Sequence, residues 1–424
     1  MAFAGAARRG LRPCLRARTG NGTGVHYRSA AAATALRRPQ STMAKAMDEE
    51  DFVAETVDIC QEFANKPQTG LSLKQLLQAG LGVRQDQRAA HEETLLQVAK
   101  FIHGELPTRI ARRVVDLGSI PELRDTESVR YVHRLYAKTF REVLEAPAPD
   151  TPEKEASFAA KLQELFDRHT RTPYRMACGA YELKQRLGDN GGEDITETHA
   201  HVDSFLTDLH TSRIGLRVLS GQYLALRQSQ EDAARRIGLI DLETSPADVA
   251  AAAIGDATQI CEHAYGVAPA VTVRGCLDRT FAYLPEHLHR MLVELLVNSM
   301  RATCEARGGG DGGLPDVKVI IADGASNEDV GIKVSDEGGG MNRRDQERSF
   351  SYLFTTADAA VQARVIAEGA SGEGPVAGLG YGLPLTRAYA RYFGGDMQLI
   401  SMEGHGTHAW LHLSRVGDAS EPLP

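Results

Sequence analysis

Glu294, Asn298 and Arg301 stand at i, i+4 and i+7 in the run Glu294-Leu295-Leu296-Val297-Asn298-Ser299-Met300-Arg301. On a helix they share one face, while Leu292, Leu295, Leu296 and Ser299 turn elsewhere. An amide oxygen beside a carboxylate is a hard-oxygen pair suited to Mg²⁺ and its phosphates. A carboxylate one turn away has the chemistry to take a proton from an attacking hydroxyl. Alone, the same spacing is also that of a solvated face on an amphipathic helix. A second block, Asp336-Glu337-Gly338-Gly339-Gly340-Met341, follows an alternating run that reads as a strand. An aspartate there can accept a hydrogen bond from an exocyclic amine such as that of adenine. Its glycines, Gly338 and Gly340 among them, let backbone and ligand approach.

The third block, Gly378-Leu379-Gly380-Tyr381-Gly382-Leu383-Pro384, opens a helix, where backbone N–H groups can cradle phosphate. It is neither the Rossmann GxGxxG nor a P-loop, and the HRD and DFG signatures of ordinary protein kinases are missing. The small, glycine-rich stretch Gly369–Gly374 before it suits a mobile lid. The fourth block, Gly404-His405-Gly406-Thr407, connects two strands and carries a hydroxyl.

Two kinds of element must position these blocks. Residues 48–230 read as helical: Val202, Phe205, Leu206 and Leu209 form one apolar stripe, and similar stripes run through Leu71–Leu81, Leu95–Phe101 and Val132–Val143. Pro147, Pro149 and Pro152, then Asp189–Gly192, interrupt them. A four-helix bundle accounts for the region. Residues 231–415 read as mixed α/β. Val317, Val319 and Ile321 alternate, as do Val330, Ile332 and Val334, and Met397–Met402 with His408–Leu413 form another hairpin. A sheet covered by helices on one face is expected. Residues 416–424 read as a loose polar tail.

The 424 residues carry a formal net charge of −8. Residues 1–47 hold nine basic and no acidic groups, so removing them leaves the remainder at −17. That remainder disfavours nucleic acid as a partner. The Arg-rich, acid-free opening has the composition of a mitochondrial presequence, expected to be disordered. No run of apolar residues is long enough to span a membrane. The six cysteines show no metal-ligand spacing, and free thiols in a reducing matrix are expected.

The four ordered blocks together resemble the Bergerat-type ATPase family shared by histidine kinases, heat-shock-90 chaperones and mismatch-repair ATPases. Within it the chain is similar to the mitochondrial pyruvate dehydrogenase kinases. That likeness rests on Gln68-Thr69-Gly70-Leu71-Ser72, Glu105-Leu106-Pro107-Thr108-Arg109 and Thr211-Ser212-Arg213-Ile214-Gly215-Leu216-Arg217. It rests also on Phe350-Ser351-Tyr352 with Thr355-Thr356-Ala357, and on Arg391-Tyr392-Phe393-Gly394-Gly395-Asp396. Leu411-His412-Leu413-Ser414-Arg415 through Glu421-Pro422-Leu423-Pro424 is similar to the plant-type members. Cys261-Glu262-His263-Ala264-Tyr265-Gly266 and His103-Gly104-Glu105-Leu106-Pro107 also resemble the branched-chain 2-oxo acid dehydrogenase kinases.

The resemblance implies an α+β two-domain fold, with a helical bundle followed by an α/β sandwich ATPase domain. It implies a serine kinase of the mitochondrial matrix that uses Mg-ATP to phosphorylate, and so inactivate, the E1 α-subunit of pyruvate dehydrogenase. Glu294 would be the general base, Asn298 would hold Mg²⁺ and Asp336 would bind adenine. Arg301, Thr355, Thr356, Gly378, Leu379, Gly380, Tyr381, Gly382, Leu383 and Thr407 would enclose the nucleotide. A homodimer and docking on the lipoyl domain of the E2 core are implied too. His169, Arg213 and Arg217 match a pocket for a pyruvate-like carboxylate, though Phe166 stands where a basic residue is expected. Val297 replaces the usual lysine before the asparagine, which motivates an alternative reading as a catalytically weak adaptor. His289 replaces, one residue away, a histidine four before the base, and either orients Glu294 or packs as a surface histidine. A histidine kinase is disfavoured, because His169-Thr170-Arg171-Thr172-Pro173 is one residue short of a phospho-acceptor box.

Overall fold

The apolar stripes of the first half become helices because their buried positions recur every three or four residues. The computed structural model describes residues 40–83, 88–190, 195–228, 235–307, 313–324, 328–357, 359–368 and 378–423. The first half comprises α1 (Gln40–Ala64), α2 (Leu73–Val83), α3 (Arg88–Ser119), α4 (Pro121–Arg124), α5 (Glu127–Glu145), α6 (Pro152–Arg168), α7 (Thr172–Asn190) and α8 (Ile195–Arg227). In α5, Val129, Val132, Tyr136, Phe140 and Val143 are all buried, and the Thr126 hydroxyl caps the first turn by accepting from the Val129 N–H. Pro152 sits in the first turn of α6, where no N–H is needed. Among the described residues eight helices fall in this half. The long α3 and α8 pack on each other, α5 lies against α3, α6 against both, and α7 against α5.

The chain divides at Met47 and Asp48 into two units. Of the first, only Gln40–Met47 are described, and they are helical as the start of α1, not disordered. Ala44, Lys45, Ala46 and Met47 are good helix formers, which accounts for the difference.

The second half runs β1 (Arg236–Ile237), β2 (Ile240–Thr244), α9 (Pro246–Tyr265), β3 (Val271–Gly275), β4 (Phe281–Tyr283), α10 (Pro285–Arg307), β5 (Val317–Ala322), β6 (Asp329–Ser335), α11 (Arg343–Arg348), α12 (Ala359–Glu368), α13 (Gly382–Tyr392), β7 (Asp396–Met402) and β8 (Gly406–Ser414). Its main sheet has the order β3-β5-β6-β8-β7, with β3 parallel to β5 and the other neighbours antiparallel. Both hairpins expected from alternation are present, β5–β6 in register Val319↔Val334 and β7–β8 in register Leu399↔Ala409. Val317, Val319, Val330, Ile332, Val334, Leu411 and Leu413 point to one side and form a core with α9, α10 and α13. The opposite face is open, with Ile400 54% and Met402 67% exposed.

Residues 416–424 are expected to be loose. Those described, 416–423, instead form a strap against the helical half. Gly417 O accepts from Lys74 N at 2.9 Å, Glu421 N donates to Leu71 O at 3.0 Å, and Ser420 bridges Ser72. The buried Glu421 carboxylate pairs with Arg109 of α3 and accepts from the Tyr392 hydroxyl of α13. Arg109 also donates to Glu105 Oε1 (3.1 Å) and Thr69 O (2.6 Å). Gly215 of α8 leaves the room, since a Cβ there would lie 2.9 Å from Glu421 Oε2. A polar composition hides this strap because the anchoring group is itself a charge.

Candidate active site

Helix α10 carries the first block between the sheet and its two neighbouring helices. Leu288, Leu292, Leu295, Leu296 and Met300 are buried in the core, which fixes the rotation of the helix. Glu294, Asn298 and Arg301 consequently line a cavity of about 510 Å³. Glu294 is 3% exposed, a buried carboxylate on the polar side of the helix that also carries Asn298 and Arg301. It lies beside the opening of α13: a Cβ at Gly382 would stand 2.7 Å from Glu294 Oε2 and 3.4 Å from Asn298 Nδ2. Only a glycine lets that helix N-terminus come so near the pair.

Asp336 follows the last residue of β6 and lines the same cavity. Its Oδ1 accepts from Gly338 N at 3.0 Å and Thr407 N at 3.2 Å, and the Ser299 hydroxyl donates to the carboxylate. Burial pushes its pKa above the ordinary 3.8, outweighing those three donors. A carboxylate has about four acceptor sites, so capacity remains for a ligand's amine. Gly338 is packed on α10, where a Cβ would meet Ala302 at 2.7 Å. The fourth block sits on the second: Gly404 N donates to Gly339 O (2.7 Å) and Gly339 N to His405 O (3.2 Å). Thr407 Oγ1 is bonded to Ser401 Oγ at 2.9 Å, and Ser401 Oγ accepts from Met341 N at 2.8 Å.

Thr355, Thr356, Gly378, Gly380, Gly382 and Leu383 complete the wall. Thr355 Oγ1 donates to Gly378 O (3.1 Å), and Arg301 Nη2 donates to Thr356 Oγ1 (3.3 Å). Leu379 and Tyr381 differ from expectation. Alternation along the loop sends their side chains away from the cavity, into the core of the helical half, where Tyr381 stacks edge-on against Tyr352 and His210. Gly369–Gly374, read as a lid, lies outside the described residues. Val297 is 6% exposed and belongs to the apolar core, so its position does not face the cavity.

His289 does not meet Glu294. Its Nε2 stands 3.1 Å from Asp256 Oδ2 of α9, and the ring lines a second, larger cleft of about 720 Å³ on the other side of α10. His169, Arg213 and Arg217 do come together, around a small cavity of about 50 Å³ in the helical half. Arg213 Nη2 donates to His169 O (3.3 Å), and Arg217 Nη1 to Phe166 O (3.0 Å). The Phe166 ring lies 3.7 Å under the Arg217 guanidinium. Burial, then the charges of Arg213, Arg168 and Arg217, hold the His169 imidazole down to about 3, so it is neutral near pH 7. Its Nε2 is 2.9 Å from Thr139 Oγ1.

Sequence reasoning missed Ser299, placed by helical spacing away from the cavity, and Ser401. Their contacts cross between elements, and no local pattern carries them. Among the described residues the main cavity is lined by five carboxylates (Glu294, Glu305, Asp336, Asp345, Glu403) and one arginine, Arg301. Polyphosphate in such a cavity needs added positive charge.

Comparison with known proteins matches this division of the chain. Residues 70–241 match the family described as mitochondrial branched-chain alpha-ketoacid dehydrogenase kinase. Residues 283–416 match the histidine kinase-, DNA gyrase B- and HSP90-like ATPases. Over 88% of this chain it is 40% identical to a mitochondrial pyruvate dehydrogenase (acetyl-transferring) kinase of Arabidopsis thaliana, covering 98% of that protein. The like-named protein of Drosophila melanogaster is 34% identical over 88% of this chain and 87% of its own. Isozyme 3 of Mus musculus is 35% identical over 76% and 78%.

Proposed function

The chain belongs to the family of mitochondrial pyruvate dehydrogenase kinases, and from that premise we propose that it phosphorylates a serine of the E1 α-subunit of pyruvate dehydrogenase with Mg-ATP, inactivating the complex. The observation that carries the reading is the buried Glu294 carboxylate beside Asn298 and Gly382, in a cavity that Asp336 also lines. Glu294 takes the proton of the serine hydroxyl, Asp336 accepts from the adenine amine, and the N-terminus of α13 with Gly378 and Gly380 receives the phosphates. Asn298, with the acidic lining, suits Mg²⁺, which would neutralise phosphate charge.

The mitochondrial matrix is the proposed location, supported by the presequence composition and the relatives' names. A homodimer is supported by the uncovered sheet face around Ile400 and Met402, and docking to an E2 lipoyl domain by family membership alone. His169, Arg213 and Arg217 would hold a small carboxylate; Phe166 and the carbonyl bonds of both arginines argue for weak binding. The match of residues 70–241 supports a second reading, in which the substrate is the branched-chain dehydrogenase. The adaptor reading loses its motive, because Val297 is part of the core.

The test is phosphoserine on E1 α, followed by mass spectrometry, with purified pyruvate and branched-chain complexes in parallel. Labelling of the pyruvate complex, lost in Glu294→Gln, is expected. Preference for the branched-chain complex would change the substrate and keep the mechanism. Binding of ATP with no labelling of either would refute the kinase reading.

A further inference from the structure

The larger cleft has no role in the argument so far. It lies between the helical half and α9, and the first two turns of α10 form its floor. Among the described residues, Glu294 is the one that lines both this cleft and the nucleotide cavity. A general base must touch the acceptor hydroxyl while the donor phosphate lies on its other side. A carboxylate shared by two cavities that meet along one helix, one lined by its earlier residues and the other by its later ones, meets that demand.

We propose that the cleft binds the acceptor: an extended segment of the target protein that brings its serine to Glu294 and places an acidic side chain against the cleft's arginine end. The proposal rests on the kinase reading above. At about 720 Å³ the cleft is larger than the nucleotide cavity, which fits a peptide segment better than a small metabolite. Its lining carries both signs: Asp248 and Asp256 on α9, Glu286 and Arg290 on α10, Arg217 on α8, and Arg235 and Arg236 together beside Asp241 at β1 and β2, which is the arginine end. Arg236 is the member best placed to meet a partner. Its side chain is 52% exposed and stands 4.0 Å from Asp241, a carboxylate that Arg235 already holds at 2.7 Å. With the segment seated, the serine oxygen bonds to the γ-phosphorus as the bridging P–O bond breaks; Glu294 takes the proton, and ADP leaves with the bond's electron pair.

The experiment uses full-length protein, Mg-ATP and the E1 component of purified pyruvate dehydrogenase. Ala252, exposed on the α9 wall, is replaced by Trp to fill the cleft, and Arg236→Glu reverses a charge that Asp241 can spare. Expected is a rise of about tenfold in KM for E1 in each, kcat little changed, with the Arg236→Glu defect shrinking as salt is added. ADP affinity, read by calorimetry, stays at the wild-type value and shows that each variant is folded. Wild-type kcat/KM for E1 in both variants would overturn the proposal. So would a rise in KM for ATP with the E1 value unchanged, which would make the cleft part of the nucleotide site. A defect in Ala252→Trp alone would remove the acidic side chain from the proposal. No labelling by the wild type, with ADP still bound, would instead bring down the kinase reading.

Discussion

Two buried carboxylates, Glu294 and Asp336, carry the proposed chemistry, and burial would serve each differently. Glu294 keeps a short path to an acceptor, so Glu294→Gln should lower the phosphorylation rate about 10²–10⁴-fold. Its ADP affinity should remain, which calorimetry would show. Asp336 accepts from an amine more strongly when ionised, yet its pKa is raised above 3.8 by burial. ADP affinity should therefore fall on acidification at a pH above that of an ordinary aspartate, and in Asp336→Asn the titration should vanish. Stability moves the opposite way for this group. The fold binds its proton more tightly than the unfolded chain does, so the contribution of Asp336 declines as pH rises from 3.8 through the raised value. Both carboxylates were legible in the sequence because each sits in a short motif whose neighbours are glycine or amide. Ser299 was not, since its donor role depends on where β6 ends relative to α10.

At the scale of elements, the alternating glycines of the third block have two tasks. Gly378, Gly380 and Gly382 face the nucleotide cavity, while Leu379 and Tyr381 anchor the same loop in the helical core. Gly382→Ala would push a methyl group to 2.7 Å from Glu294 Oε2. The expected result is a loss of about 10² in kcat from a displaced base, with about 1–3 kcal/mol of stability lost to crowding. Steady-state kinetics and urea unfolding read the two separately. Hairpins were legible from strict alternation, and the stripe at Val202–Leu209 from its spacing. The parallel pairing of β3 with β5 was not, because their partners are separated by α10 and no local signal reports such a neighbour.

At the scale of the molecule, the halves are joined by the Arg109–Glu421–Tyr392 cluster at the very end of the chain. Burial opposes the Arg109 charge, and Glu421, with Tyr392 and Glu105, more than offsets it. Glu421→Ala would leave that guanidinium with Glu105 and Thr69 O as its remaining partners and should cost about 3 kcal/mol in chemical denaturation. Glu421→Gln, which keeps shape and some hydrogen bonding, should cost less. No sequence pattern announced the strap, whose partners lie hundreds of residues upstream. It also imposes an order of events during synthesis. Arg109 leaves the ribosome some three hundred residues before its partner Glu421 is made. At about 5–20 residues per second that is a delay of roughly 15–60 s, in which the Arg109 cation has Glu105 and Thr69 O as partners but not yet Glu421. A nascent chain stalled before Glu421 has both halves and no latch between them, and a fusion at the C-terminus would be placed where that latch has to close.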